Sequence, residues 1–164
     1  QFRRTTQTSN PEGIMTQAFS PEIAAMGRIV VQLAVTNWVD KILSERGFIA
    51  DTEVRTCTVE NALVDTGATR LCLPADIIEK LGLRRTGTVE ARTATGLQSL
   101  NIYEGLRLNV EGREGIYNCV ELPAGQTPLL GLIPLEDLGL NPDLQNQKLQ
   151  HLPTTGEDTY LTVL

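Results

Sequence analysis

The chain has 164 residues, 20 of them acidic and 14 basic, for a formal net charge of −6, a balance that argues against a nucleic-acid partner or an anionic membrane surface. Its length suits one domain with a core of its own, and a hydrophobic content of 41% is ordinary for a globular protein. The single histidine, His151, lies far from any Ser or Cys motif, which removes His-dependent nucleophilic catalysis and a multi-histidine zinc site.

The remaining exclusions are equally direct. Neither G-x-x-x-x-G-K-[ST] nor G-x-G-x-x-G occurs, so no cofactor and no metal is expected, and any hydrolysis must run on carboxylates and water. The three cysteines, Cys57, Cys72 and Cys119, form no C-x-x-C and have apolar neighbours, so they read as reduced, buried structural thiols. No apolar run approaches a membrane span, and the N-terminus lacks the apolar core of a secretory signal. The expected location is cytoplasmic. Val, Leu, Ile and Thr abound without Ala-rich helical blocks, so β structure should dominate.

In chain order, residues 1–25 read as a flexible polar extension and a candidate pro-segment. Met26 is a candidate translation start, because structured periodicity begins right after it. Arg28 to Asn37 alternates as a strand. Trp38 to Gly47 fits a short helix or a structured loop, with Gly47 as a possible C-cap. Val54 to Val59 is a second strand, Glu60-Asn61 a turn or bulge, and Ala62–Val64 a further strand. Arg70–Leu73 is another short strand. Pro74 suits the first helical position, and a helix follows to Leu81 with Gly82 as its stop.

Thr88 to Tyr103 reads as a long hairpin with its tip at Ala94-Thr95-Gly96, polar on both faces and so projecting from the core. A second hairpin spans Leu106–Val110 and Gly115–Leu122 around a Glu111–Glu114 turn. Pro134–Leu138 is a short helix closed by Gly139, Asn141–Gln147 a turn region, and Lys148–Leu152 a closing strand. The tail from Thr159 to Leu164 has strand composition and needs a partner, its own sheet edge or another subunit.

The chemistry centres on Ala62-Leu63-Val64-Asp65-Thr66-Gly67-Ala68-Thr69. An apolar run delivers a carboxylate to a strand end, and Gly67 permits a sharp turn with close backbone approach. Such a carboxylate is held by the core yet open to a cleft. By itself Asp-Thr-Gly could be strand-to-turn punctuation, but a second apolar-apolar-Gly element, Leu129-Leu130-Gly131, lies downstream before a helix-like stretch.

With these two elements the chain resembles the retropepsin-like aspartic proteases, in particular their stand-alone prokaryotic members, over most of 28–152. Met26-Gly27-Arg28 also resembles the start of those members, and the helix after Pro74 is one of their features. The resemblance implies a mainly β fold, a closed β-barrel with one or two short helices, formed by a protease domain over 26–153 and a tail strand over 154–164. It also implies that Asp65 is catalytic, that Leu129–Gly131 threads behind it and supports its loop, and that Ala94, Thr95 and Gly96 tip a flap over a peptide substrate.

An aspartic protease needs two carboxylates about 3 Å apart sharing one proton, one to activate water and one to polarise the scissile carbonyl. One Asp-Thr-Gly per chain then implies a two-fold homodimer with Asp65 from each copy. Thr66 would bond across to the partner loop, and Gly67 would let substrate and the other loop come close. Ala68 matters through what it lacks, a hydroxyl that could stabilise the ionised carboxylate, so activity is expected toward mildly acidic or neutral pH. The chain departs from retroviral enzymes in having a single Gly in the expected flap and in lacking an ion pair. Leu132 stands where they usually carry Arg after the second glycine, and Thr69 where an Asp often pairs with that Arg. Two other readings stay open: a catalytically silent retropepsin-like dimerisation or binding module, and a β domain in which Asp65 only caps a turn.

Overall fold

A computed structural model describes residues 27–163; the extension 1–25, Met26 and Leu164 lie outside the described residues. Strand β1 (Val30–Asn37) buries Val31, Leu33 and Val35 and turns the alternate residues outward, the period-2 pattern of a half-buried strand. Its last residue stops it: the buried Asn37 side chain accepts the Asp40 N–H at 3.1 Å and starts α1 (Trp38–Glu45). Of the two readings for this stretch, the helix forms, with Gly47 just past its end at φ 79°. A 3-10 turn at Asp51–Glu53 leads into β2 (Thr56–Val64). The two short strands expected here are one continuous strand. Val31 pairs with Ala62 and Leu33 with Val59, so Glu60-Asn61 holds an extra residue as a bulge.

After β3 (Leu71–Pro74), helix α2 (Ala75–Leu81) ends on Gly82 in the left-handed region at φ 58°. Pro74 sits at the cap, one residue before the helix. Strands β4 (Arg84–Thr93) and β5 (Gly96–Val110) form the long hairpin. It begins earlier than the sequence suggests, because Arg84 and Arg85 pair with Glu104 and Tyr103 before a bulge. β6 (Arg113–Leu122) returns from β5 through Glu111-Gly112, both with positive φ, as a two-residue hairpin requires. β7 (Leu129–Leu130), α3 (Leu132–Asp137), β8 (Leu140–Asp143) and β9 (Lys148–His151) complete the elements.

The protein is mainly β. Seven strands run in the order β1-β2-β7-β3-β6-β5-β4, and a further β1–β5 pairing closes all but β4 into a ring. Leu33, Val35, Leu73, Leu106, Leu108 and Leu130 are among the side chains fully buried in the core. Three α-helices form among the described residues rather than one or two. Asn141–Asp143, read as turn, belongs to β8, which pairs with β9 as a separate hairpin. Pro142 is tolerated there because a two-stranded pair leaves each strand an open edge. The expected tail strand is absent from 154–163. Instead the Tyr160 N–H bonds Pro153 O at 2.9 Å and its hydroxyl donates to Asp137 O at 2.8 Å, which holds the tail in a non-extended path on its own chain.

Candidate active site

Two elements far apart in sequence build one loop. β7 lies between β2 and β3, parallel to β2 with Leu63 beside Leu129 and Val64 beside Leu130, and antiparallel to β3 at Cys72. The Leu63 N–H donates to Pro128 O at 2.9 Å and the Asp65 N–H to Leu130 O at 3.0 Å. Asp65 is thus the first residue beyond a strand buried on both edges, and its side chain is half-buried while Thr66 and Gly67 are exposed.

The loop closes on the carboxylate. The Gly67 N–H donates to Asp65 Oδ1 at 2.9 Å, and the Ala68 N–H to Asp65 O at 3.1 Å. One carboxylate oxygen is therefore oriented by the backbone of its own turn, an Asx-type bond. A Cβ on Gly67 would lie 3.1 Å from that oxygen, so the glycine keeps the carboxylate's position uncrowded. Beneath, burial pushes the Cys72 thiol up to about 11, with the Asp65 charge adding to the shift.

Gly131 is the second glycine that the geometry requires. A Cβ there would fall 2.2 Å from Arg70 O and 2.7 Å from Ala68 O. The chain then runs under the loop: the Leu132 N–H donates to Ala68 O at 2.8 Å and the Ile133 N–H to Thr69 O at 2.9 Å. These are two of the N–H groups that a helix start leaves without intrahelical partners. The sequence pointed to a missing Arg–Asp pair at Leu132 and Thr69; the same two segments are joined here by main-chain bonds. No side-chain signal could have revealed them, because the backbone carries both ends.

Asp65, Gly67, Ala68 and Leu129–Gly131 thus come together in one chain. The hairpin tip is separate: the Thr93 hydroxyl donates to Gly96 O at 2.8 Å, Gln98 donates to the Thr95 hydroxyl at 3.0 Å, and Ala94 and Thr95 form the turn. Among the described residues no hydrogen bond joins Ala94, Thr95 or Gly96 to the Asp65 loop. The hairpin's outer strand β4 pairs with β5 alone.

A groove of about 500 Å³, lined by Thr36, Lys41, Thr56 and Arg107 among others, is not this site. It lies where Thr36 pairs with Thr56, the opposite end of the β1–β2 ladder from Asp65. Among the described residues no group of three or more His, Cys, Asp or Glu side chains could hold a metal ion, and no helix is long and apolar enough to cross a membrane.

The family described as gag-polyprotein putative aspartyl protease matches residues 51–136, a span that takes in β2, the Asp65 loop, the long hairpin and Leu129–Gly131. No curated protein matches this chain.

Proposed function

The chain belongs to the gag-polyprotein putative aspartyl protease family, and on that premise we propose that it is an aspartic endopeptidase whose water is activated by a dyad of Asp65 from two chains. The observation that carries the proposal is the Asp65 loop. Its backbone is tied to Leu130 at 3.0 Å, its carboxylate oxygen is oriented by the Gly67 N–H at 2.9 Å, and the side chain stays half-exposed. A carboxylate that only punctuated a turn would have no need of a second strand threaded beneath it.

In this mechanism one Asp65 takes a proton from water while its partner, protonated, hydrogen-bonds the scissile carbonyl. The two then exchange roles as the amine leaves. Thr66 bonds across the two-fold axis to the partner loop, and Gly67 admits the substrate backbone. Ala68 leaves the outer carboxylate oxygen without a hydroxyl donor. The hairpin tip at Ala94, Thr95 and Gly96 closes over an extended peptide. The domain is 26–153, acting as a homodimer with no cofactor.

The test is digestion of a denatured protein mixture over a pH series, read by mass spectrometry, with wild type and Asp65→Asn side by side at high protein concentration. Cleavage by wild type alone is the expected result. If neither protein cleaves where sedimentation shows a dimer, the silent-module reading replaces this one.

A further inference from the structure

The loop that carries Asp65 begins beside one arginine and ends on another. β1 and β2 are antiparallel, with Val30 beside Leu63, and the Val64 N–H donates to Ile29 O at 2.9 Å. Arg28 and Asp65 are the next residues outward from that bond, just past the paired ends of β1 and β2. At the other end Arg70 closes the loop. Its carbonyl faces Gly131, and it leads into β3, which is separated from β2 by β7 alone, so it stands about 10 Å from the Asp65 strand. Both side chains are exposed.

Neither arginine makes an ion pair or a side-chain hydrogen bond among the described residues, a state they share with Arg46, Lys80 and Arg92, so what sets them apart is their place at the two ends of the Asp65 loop. The chain has 20 carboxylates to 14 cations, so partners are in surplus. Between the two arginines the loop offers Thr66, Gly67, Ala68 and Thr69, with no carboxylate besides Asp65. Guanidinium groups present five donors in a fork that matches a carboxylate.

Resting on the protease reading, we infer that Arg28 and Arg70 select substrates with acidic side chains flanking the scissile bond, over and above apolar contacts nearer to it. Two-fold symmetry repeats both arginines on the far side of the dyad, so acidic residues are favoured on both flanks. These are specificity residues, acting on substrate side chains and leaving the dyad to do the chemistry.

The experiment uses quenched fluorescent peptides built around a cleavage site found by proteome digestion, identical except for Glu or Gln two to four residues from the scissile bond. Assays at about pH 6 keep the peptide Glu ionised. Wild type should favour Glu by about fivefold in kcat/KM, near the upper end for a partly exposed ion pair, and the preference should fade as salt rises. Arg28→Gln and Arg70→Gln should each reduce the ratio, and the double variant should bring it to about one; Arg46→Gln, at the exposed end of α1, should leave it unchanged. Equal rates on Glu and Gln peptides by wild type overturn the inference and leave the protease reading intact. So does a weakened dimer in Arg28→Gln with an unaltered ratio, which assigns that arginine to the subunit contact. If no peptide is cleaved, the protease reading fails separately, and anisotropy of labelled Glu and Gln peptides on Asp65→Asn still decides the preference.

Discussion

The Asp65 N–H donates to the Leu130 carbonyl at 3.0 Å, so β7, which ends just before Gly131, holds the backbone of the residue that opens the loop. Immediately afterwards Leu132 and Ile133 donate to Ala68 and Thr69. The loop is therefore pinned on both sides of Gly131, by the bond before it and the two after it. That arrangement leaves no room for a side chain at the pivot.

Gly131→Ala tests the close approach. Gly131 has φ −86°, ordinary for any residue, so the substitution carries no left-handed strain. Its whole effect is the contact of a Cβ with Arg70 O at 2.2 Å and Ala68 O at 2.7 Å. Urea unfolding should show a loss of about 1–3 kcal/mol, the usual range for overpacking, and peptidase activity should fall with it. Gly27→Ala, with nothing within 4 Å, should change stability by less than about 0.5 kcal/mol. Equal stabilities for the two variants would mean that the loop relaxes freely.

A second prediction concerns acid stability away from the site. Asp40 is only 6% exposed. Arg55 grips it with Nε at 2.7 Å, Nη2 at 2.9 Å and its own backbone N–H at 3.1 Å. The side-chain bonds from Arg55 hold the Asp40 carboxyl below the usual carboxylate range, with burial opposing. A carboxyl whose folded value is depressed contributes stability above its unfolded value, about 3.9, and loses it as pH falls through the folded one. Asp40→Asn should cost about 1–3 kcal/mol at neutral pH, and the gap to wild type should close below about pH 4. Parallel stability curves for the two proteins from pH 7 to pH 2 would show that the pair contributes nothing.

Local chemistry made much of this legible. β1 announces itself by strict alternation, α2 by Pro74 before it and Gly82 after it, and the Asp65 turn by its glycine. What stayed hidden depends on partners distant in sequence. Asn141-Pro142-Asp143 has turn composition, and only pairing with β9 makes it a strand. Arg84–Gly87 lacks any apolar pattern, because the outer strand β4 has no core to face and is ordered by β5. The bonds from Leu132 and Ile133 run between main-chain atoms, and no residue type encodes them. The flap role proposed for Ala94–Gly96 rests on a hairpin that makes no hydrogen bond to the Asp65 loop among the described residues.

The cysteines give a chemical check on burial. Cys72 and Cys119 are buried, while Cys57 is half-exposed. Burial pushes Cys72 up to about 11 and Cys119 up to about 12, so at pH 8 each holds about one thiolate in a thousand or fewer. Brief iodoacetamide treatment of the folded protein should label Cys57 alone, and treatment in denaturant should label all three. Labelling of Cys72 at the rate of Cys57 would show that the β3 strand beside the Asp65 loop opens readily.

The tail separates the stability of one chain from its association with another. Tyr160 is anchored on its own chain: its ring covers Gly139, where a Cβ would meet it at 2.5 Å, and lies 5.8 Å from the Arg113 guanidinium. Arg113 in turn donates to Leu138 O at 2.8 Å and Gly139 O at 2.7 Å. Tyr160→Ala should therefore cost about 1–3 kcal/mol, from lost aromatic burial and one hydrogen bond, and the loss should not depend on protein concentration. Beyond it, Leu161 is 57% exposed and Val163 98% exposed, apolar surface that folding of one chain leaves uncovered. If the chain acts as the homodimer proposed above, truncation after Tyr160 should keep the unfolding midpoint at low concentration and weaken association measured by sedimentation. A truncated chain that dimerises like wild type would place the subunit contact elsewhere, and the Asp65 loops, with Leu132 and Ile133 exposed beside them, would have to supply it.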